Sequence, residues 1–512
     1  MVSDLMRQNS SKFGSRWLSP ATYAGVALFT AVLFSALSIT DQSFWIDEAV
    51  GGVYARKDSV LRIFHEMAVS PGAELQIPFY IIWEWSWGQI FGTSEVGLRA
   101  ANIPWLVMLF CCPLIFFRRF PVFAWICLPI LALNPVLWSS ADEAKAYSMF
   151  LSGAGILFSC LLRQSGDHKS PWCMPLWWQC IFAFSLLLLS GTHLLGVPWM
   201  AAGVIASLTL APLQRPEHRL QTASIVLTTG LALGALGLFY LWTLILGAAP
   251  TPAGTGVGMN LAFTTYELFG FLGVGPDKLA VRQAGVSVLL FYLPQILLYA
   301  VPVALVTGIG LVRLWGKITK RQAVALLLLT GIPTLFVIGL GTFADFRFLA
   351  RHLIPWTLLL VGLWAVAITY LFREGRLYTV GLALCFLATQ VWSSAETRLN
   401  PRFAKDDYRG AAAMAKSALL EEKVVWWAAN NHAANYYGLF PVHAGEEGVA
   451  FFANSRDAAY LAKLPSPALV VLSKTDVYDR GGALRYWLEE NQYKLVARKP
   501  AFSFYEKFAP KL

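Results

Sequence analysis

Asp47 and Glu48 stand side by side in SFWIDEAV, residues 43–50, just beyond the mostly apolar run ATYAGVALFTAVLFSALSIT. Charge is costly near hydrocarbon, so an acidic pair at the mouth of a membrane helix is a candidate for function, as a general base or a metal ligand. A helix-end anchor or topology signal accounts for the pair more plainly. A second acidic group lies in LWSSADEAKAYSMF, which carries Asp142, Glu143, Lys145 and Tyr147. A short solvated turn explains it alone, but two acidic patches, each at a span boundary with an aromatic nearby, point to a shared role. The third group, GTFADFRFLARHLIPW, holds Asp345, Arg347, Arg351 and His352. Arginines on the outer side run against the positive-inside rule. Their spacing of four predicts Arg347 and Arg351 on one helix face, and arginine grips phosphate with two parallel hydrogen bonds. Anion binding is expected there.

Acids and phosphate-binding arginines on one membrane face suggest one reaction class. A sugar carried on a polyprenyl phosphate is displaced by an acceptor hydroxyl. The phosphate already leaves well, so no protonated acid is needed on that side, unlike glycoside hydrolysis. A carboxylate must take the hydroxyl proton, and cations must stabilise the departing phosphate. Direct displacement inverts the anomeric centre.

The elements that position these residues are membrane helices. The 512 residues are 57% hydrophobic and 14% charged, against roughly a quarter charged in soluble proteins. Mean hydropathy is +0.55. Apolar runs against basic loops predict about eleven spans, near 20–40, 97–117, 121–139, 146–162, 174–192, 194–211, 222–246, 286–311, 323–341, 352–372 and 377–393. The net charge of +10 gathers in alternate loops: Arg7, Lys12 and Arg16, then Arg118–Arg119, Arg215 and Arg219, Arg313, Lys317, Lys320 and Arg321, and Arg373 and Arg376. That alternation is a topology signal, not a nucleic-acid footprint, and it sets the N-terminus inside and the C-terminus outside. The first run lacks an obvious cleavage site and reads as a membrane anchor.

Cys111, Cys112, Cys127, Cys160, Cys173, Cys180 and Cys385 all fall in or beside apolar runs and read as small hydrophobes. The outward segments hold no cysteine and no Asn-x-Ser/Thr sequon, which favours a bacterial inner membrane. Two domains are expected. Residues 1–393 form the membrane domain, with an outer loop at 41–95 containing an interfacial helix and a flexible loop at 247–285. Residues 394–512 form a small outer α/β domain, with a helix at Tyr408–Leu420, strands in KVVWWAA and ALVVLS, and a helix in GGALRYWLEENQ. Lys405, Asp406, Asp407 and Arg409 read as its solvated helix start. The tail has no glycine-rich phosphate loop. His65 and His193 face outward without zinc spacing, and a lone histidine is more often structural.

Several motifs resemble those of the GT-C glycosyltransferases, of the protein-mannosyltransferase and aminoarabinose-transferase type (glycosyltransferase family thirty-nine and its bacterial relatives). FWIDEA looks like the acidic motif of their first outer loop. ELQIPFYIIWEWSWGQIFGTSEVGLRAANIPW is similar to their Pro-Pro-Leu-Tyr, helix, Gly-x-Ser-Glu and Leu-Arg stretch. ALNPVLWSSADEAKAYSM, RHLIP and KDDYRGAAA follow in family order. The resemblance implies a GT-C fold, a polyprenyl-phosphate sugar donor, and a lipid, glycan or protein acceptor. It implies Asp47 as base with Glu48 in support, Asp142, Glu143, Lys145 and Tyr147 as a second site, and Arg351 facing the lipid phosphate; Arg347 is added from charge and spacing. Arg99 matches a structural residue. Gln76, Tyr80, His65 and His352 are candidate substrate contacts. A divalent cation, Mg or Mn, would take Asp47, Glu48, Asp142 or Glu143. The chain departs from the family at Gln76-Ile77-Pro78-Phe79, where His-Pro-Pro-Leu is usual, at Lys145, where arginine is common, and at His352 in place of tyrosine.

A lipid or polysaccharide flippase would show inverted repeats and charges at mid-membrane; here the charges gather at the boundaries. A non-catalytic subunit of an envelope complex has no need of Asp47, Glu48, Asp142 and Arg351 together. An O-antigen ligase or polymerase would rely on a late outer loop in place of the early acidic pair.

Overall fold

A computed structural model describes residues 19–69, 72–166, 176–210, 230, 234–246, 256–277, 280–281, 285–453 and 458–507. Arg7, Lys12, Arg16, Cys173, Arg215 and Arg219 lie outside the described residues, as do parts of the expected span 222–246 and of the loop 247–285. The chain forms two compact units. The first comprises Met1–Ile39, Ser59–Trp83 and Arg99–Phe403, the second Thr40–Asp58, Glu84–Leu98 and Ala404–Leu512. Much of the outer loop 41–95 thus groups with the tail, whereas residues 394–403 group with the membrane helices.

The first unit is helical. Among the described residues, six helices are long and apolar enough to cross a bilayer: Pro20–Ser38, Glu95–Phe117, Ser287–Trp315, Lys320–Phe343, Trp356–Glu374 and Leu377–Leu399. Pro121–Ala132 and Pro135–Ala141 make a seventh if their 61° bend is counted within one span. The bend has a local cause. Asn134 Oδ1 accepts the N–H groups of Val136 and Leu137 at 3.0 and 3.1 Å, and Pro135 occupies the first helical position, so a new helix starts there. Eleven are expected from the sequence, and part of one, 222–246, lies outside the described residues. Tyr147–Gly166 is helical but falls outside the set that is apolar enough to span, and Trp177–Thr192, Gly196–Leu210 and Gly234–Ile245 are only 10–17 residues long.

Trp199 and Trp364 are fully buried in this unit's core, and Trp364 satisfies its indole N–H on Thr307 Oγ1 at 2.9 Å. The loop 247–285, expected to be flexible, contains the helix Val257–Leu268. The aromatic run ELQIPFYIIWEWSWGQIFG forms the helix Pro78–Phe91. Within the first unit Trp83 donates its indole N–H to Ala101 O at 2.9 Å. Within the second, Trp85 donates to Lys57 O at 2.8 Å and Trp87 to Gly97 O at 2.9 Å. These indole N–H groups therefore serve backbone carbonyls.

The second unit carries a five-stranded sheet in the order β2-β1-β3-β5-β4, built from β1 (Val425–Ala428), β2 (Ala450–Phe452), β3 (Leu469–Ser473), β4 (Tyr493–Lys499) and β5 (Phe502–Lys507). β1 runs parallel to β2 and β3, while β5 is antiparallel to β3 and β4. VWWA and LVVLS are buried at every position, the pattern of a strand covered on both faces. Helices Tyr408–Leu420 and Ala483–Glu490 form where the sequence predicts them. β2, β4 and β5 go beyond the sequence reading: β2 is three residues long, β4 is a partly exposed edge strand, and β5, between β3 and β4, is also partly exposed.

Candidate functional site

In the second unit, Asp47 and Glu48 occupy the first turn of the helix Ile46–Ala55, where carboxylates meet the positive end of the helix dipole. Asp47 is half-buried. Its charge reaches Tyr478, whose phenol is pushed up to about 12 chiefly by burial. Glu48 has no solvent exposure. Its Oε2 accepts the Trp45 N–H at 3.4 Å, and Lys405 Nζ lies 3.2 and 3.1 Å from its two oxygens. One turn on, Gly51 leaves room for another buried acid, Glu84: a Cβ on Gly51 would stand 2.6 Å from Glu84 Oε2. Sequence reading took Lys405 for part of a solvated helix start and passed over Glu84. Lys405 sits more than 350 positions from its partner, and Glu84 lies within the WEWSW run.

The first unit assembles a cationic group from three connectors. His193 follows the helix Trp177–Thr192, His352 lies in the 3-10 turn Ala350–Leu353, and their rings are 6.3 Å apart. Each Nδ1 accepts a backbone N–H, from Leu195 at 2.9 Å and from Leu349 at 3.0 Å. A neutral ring accepting at Nδ1 carries its proton on Nε2, so both imidazoles keep a donor there. Burial, then Arg351 and Lys145, pushes His193 down to about 4; burial, then Arg351 and His193, holds His352 well below its ordinary value. These mutual effects put Lys145, His193, Arg351 and His352 in one electrostatic neighbourhood. Lys145 Nζ stands 3.6 Å from Glu74 Oε1, with both side chains largely buried. The Gln76 backbone carbonyl ties this segment to the histidine connector by accepting the Leu194 N–H at 2.9 Å, and Tyr80 is fully buried in the helix that follows. Glu267 accepts the Ala350 N–H at 3.3 Å, bringing a carboxylate to the Arg351 turn. Sequence reading missed Glu267 because it assigned that stretch to a loop.

Two expectations are corrected. Arg347 and Arg351 do not share a helix face. The helix ends at Phe343, Arg347 lies in non-helical backbone, and Arg351 belongs to the 3-10 turn. Asp345 at φ +47° departs from helical geometry at this junction. The segment 142–147 also divides. Asp142 ends the helix Pro135–Ala141 and pairs with fully buried Arg99, Oδ1 to Nε 3.8 Å. Asn102 Nδ2 donates to Ala141 O and Glu143 O at 3.2 and 2.6 Å, clamping the turn. Tyr147 is buried in the apolar core, and Lys145 acts on His193. His65 is exposed on the helix Val60–Val69, and among the described residues no contact draws it to either group.

Among the described residues, no three His, Cys, Asp or Glu side chains gather to hold a metal ion. Glu48 faces the Lys405 ammonium and Asp142 the Arg99 guanidinium.

No protein-family model matches the chain, and no curated protein sequence matches it. Solved structures do. ArnT from Cupriavidus metallidurans in the apo state is similar over 95% of this chain and 98% of its own, at 15% identity and a TM-score of 0.53. ArnT bound to undecaprenyl phosphate is similar over the same shares, at 12% identity and a TM-score of 0.50. The arabinofuranosyltransferase AftD from Mycobacteria aligns with 97% of this chain and 40% of its own, at 13% identity and a TM-score of 0.46. The chain is a multi-pass membrane protein with the fold of ArnT.

Proposed function

We propose that the chain is an inverting membrane glycosyltransferase of the GT-C kind that moves a sugar from a polyprenyl-phosphate donor to an acceptor hydroxyl. The whole-length fold shared with ArnT, one structure of which holds undecaprenyl phosphate, carries this reading. In the proposed reaction Asp47 accepts the proton of the acceptor hydroxyl. The oxygen forms a bond to the anomeric carbon as the bond from that carbon to the phosphate oxygen breaks, and the electron pair leaves on the phosphate. Lys145 and Arg351 supply cationic contacts to that phosphate, and His193 and His352 supply neutral Nε2–H donors. Arg347 joins them from its neighbouring segment. Gln76 and Tyr80 are assigned to substrate contact. Glu48 supports Asp47 from within the same helical turn. No step is routed through a metal.

We place the protein in a bacterial inner membrane, N-terminus cytoplasmic and tail periplasmic, modifying a cell-envelope glycan, glycolipid such as lipid A core, or protein. The test is reconstitution in liposomes with radiolabelled polyprenyl-phosphate sugars and an envelope extract as acceptor. Label moving to an acceptor with release of polyprenyl phosphate supports the reading; lipid crossing the bilayer without transfer hands the case to a flippase.

A further inference from the structure

The segment Lys405–Arg409, KDDYR, sends each residue to a different place within the second unit. Asp406 takes Lys474 Nζ. Asp407 caps the helix Tyr408–Leu420 through the Gly410 N–H at 2.8 Å and takes Lys499 Nζ at 3.0 Å. Tyr408 is fully buried, edge-on to Phe502. The two ends return to the acidic motif. Lys405 donates its N–H to Gln42 Oε1 at 2.9 Å and grips both oxygens of Glu48, while Arg409 donates its N–H to Ser43 Oγ at 2.9 Å and its guanidinium to Asp41 O at 2.9 Å. This segment is no solvated helix start.

We propose that Lys405 is the positioning residue of the acidic motif, acting through Glu48 to fix the turn that presents Asp47. A carboxylate with no exposure is strongly unfavourable unless it is paired and hydrogen-bonded, and Lys405, itself only 15% exposed, supplies the charge. Glu48 is the neighbour of Asp47 in one helical turn, so locking the Glu48 side chain fixes the rotation of that turn and hence the direction of Asp47. The catalytic part of this proposal rests on the glycosyltransferase reading; the positioning part does not.

The experiment compares Lys405→Met, Lys405→Arg and the double variant Glu48→Gln/Lys405→Met, all as full-length protein in detergent or liposomes. Amide hydrogen exchange is read at residues 44–50 and across β1 and β3. Lys405→Met is expected to speed exchange in 44–50 at least ~10-fold while β1 and β3 stay protected, and Lys405→Arg to restore most of the protection. In the transfer assay Lys405→Met should lower kcat at least ~100-fold with donor KM nearly unchanged, since Lys405 is assigned no donor contact. The double variant, which buries no lone charge, should regain protection but not kcat. Unchanged exchange at 44–50 in Lys405→Met, or Lys405→Arg no better than methionine, overturns the positioning role. Should the wild type transfer no sugar from any polyprenyl-phosphate donor, the glycosyltransferase reading falls, and the exchange data still decide whether Lys405 holds the motif.

Discussion

His193 and His352 stand 6.3 Å apart ring to ring, and each turns Nδ1 to a backbone N–H of its own connector. The pair therefore presents two neutral Nε2–H donors beside Lys145 and Arg351. Donors that stay neutral near pH 7 hold a phosphate without adding to local cation repulsion.

A pH dependence of stability follows. His193 is pushed down from 6.5 to about 4, so between those values the unfolded chain binds a proton that the folded chain excludes. Stability is then full above pH 6.5 and falls as the pH drops toward 4, by on the order of 3 kcal/mol from this group. Unfolding midpoints of wild type and His193→Asn between pH 7 and 4.5 check it. The variant is expected to lose part of the acid slope; equal slopes would show that His193 is not the group.

Lys145 and Glu74 give a second prediction. Lys145→Met should weaken binding of polyprenyl phosphate by about 10- to 150-fold, the range of one charge-assisted hydrogen bond. Glu74→Gln, which releases Lys145 from its counter-charge, should leave binding equal or tighter. Titration of purified protein with the lipid phosphate measures both; loss in both variants alike would mean that the pair serves stability alone.

The pair of Arg99 and Asp142 predicts the reverse balance. Arg99 has no exposure, so Arg99→Met breaks a buried pair and should cost roughly 3–5 kcal/mol. Asp142→Asn should lower the unfolding midpoint while sugar transfer persists. Abolished transfer in stably folded Asp142→Asn would move the base to the 142–143 turn.

Gly196 packs against the preceding helix end so closely that a Cβ would lie 1.8 Å from Leu189 O, a backbone atom with nowhere to go. Gly196→Ala should displace the His193 connector, lowering both the unfolding midpoint and lipid-phosphate affinity. An unaffected variant would show that the connector is not rigidly held.

Much of this arrangement was legible in the sequence. The acidic turn at 47–48, the basic residues Lys145 and Arg351 and the strands VWWA and LVVLS announce themselves through charge at a span boundary or through unbroken β-branched and aromatic runs. The rest depends on tertiary approach. Glu48 has its ammonium from Lys405, and the Arg351 turn has its carboxylate from Glu267, both far along the chain. A spacing of four between Arg347 and Arg351 carried no helix because the chain leaves helical geometry at Asp345. Hydropathy likewise saw one run where Asn134 and Pro135 start a new helix.

The most direct test is sugar transfer from radiolabelled polyprenyl-phosphate sugars in membranes, wild type against Asp47→Asn at equal levels of inserted protein. A carboxylate base predicts a loss of roughly 10²–10⁴-fold. Equal transfer by both would contradict the assignment of Asp47, and with it the central chemical claim.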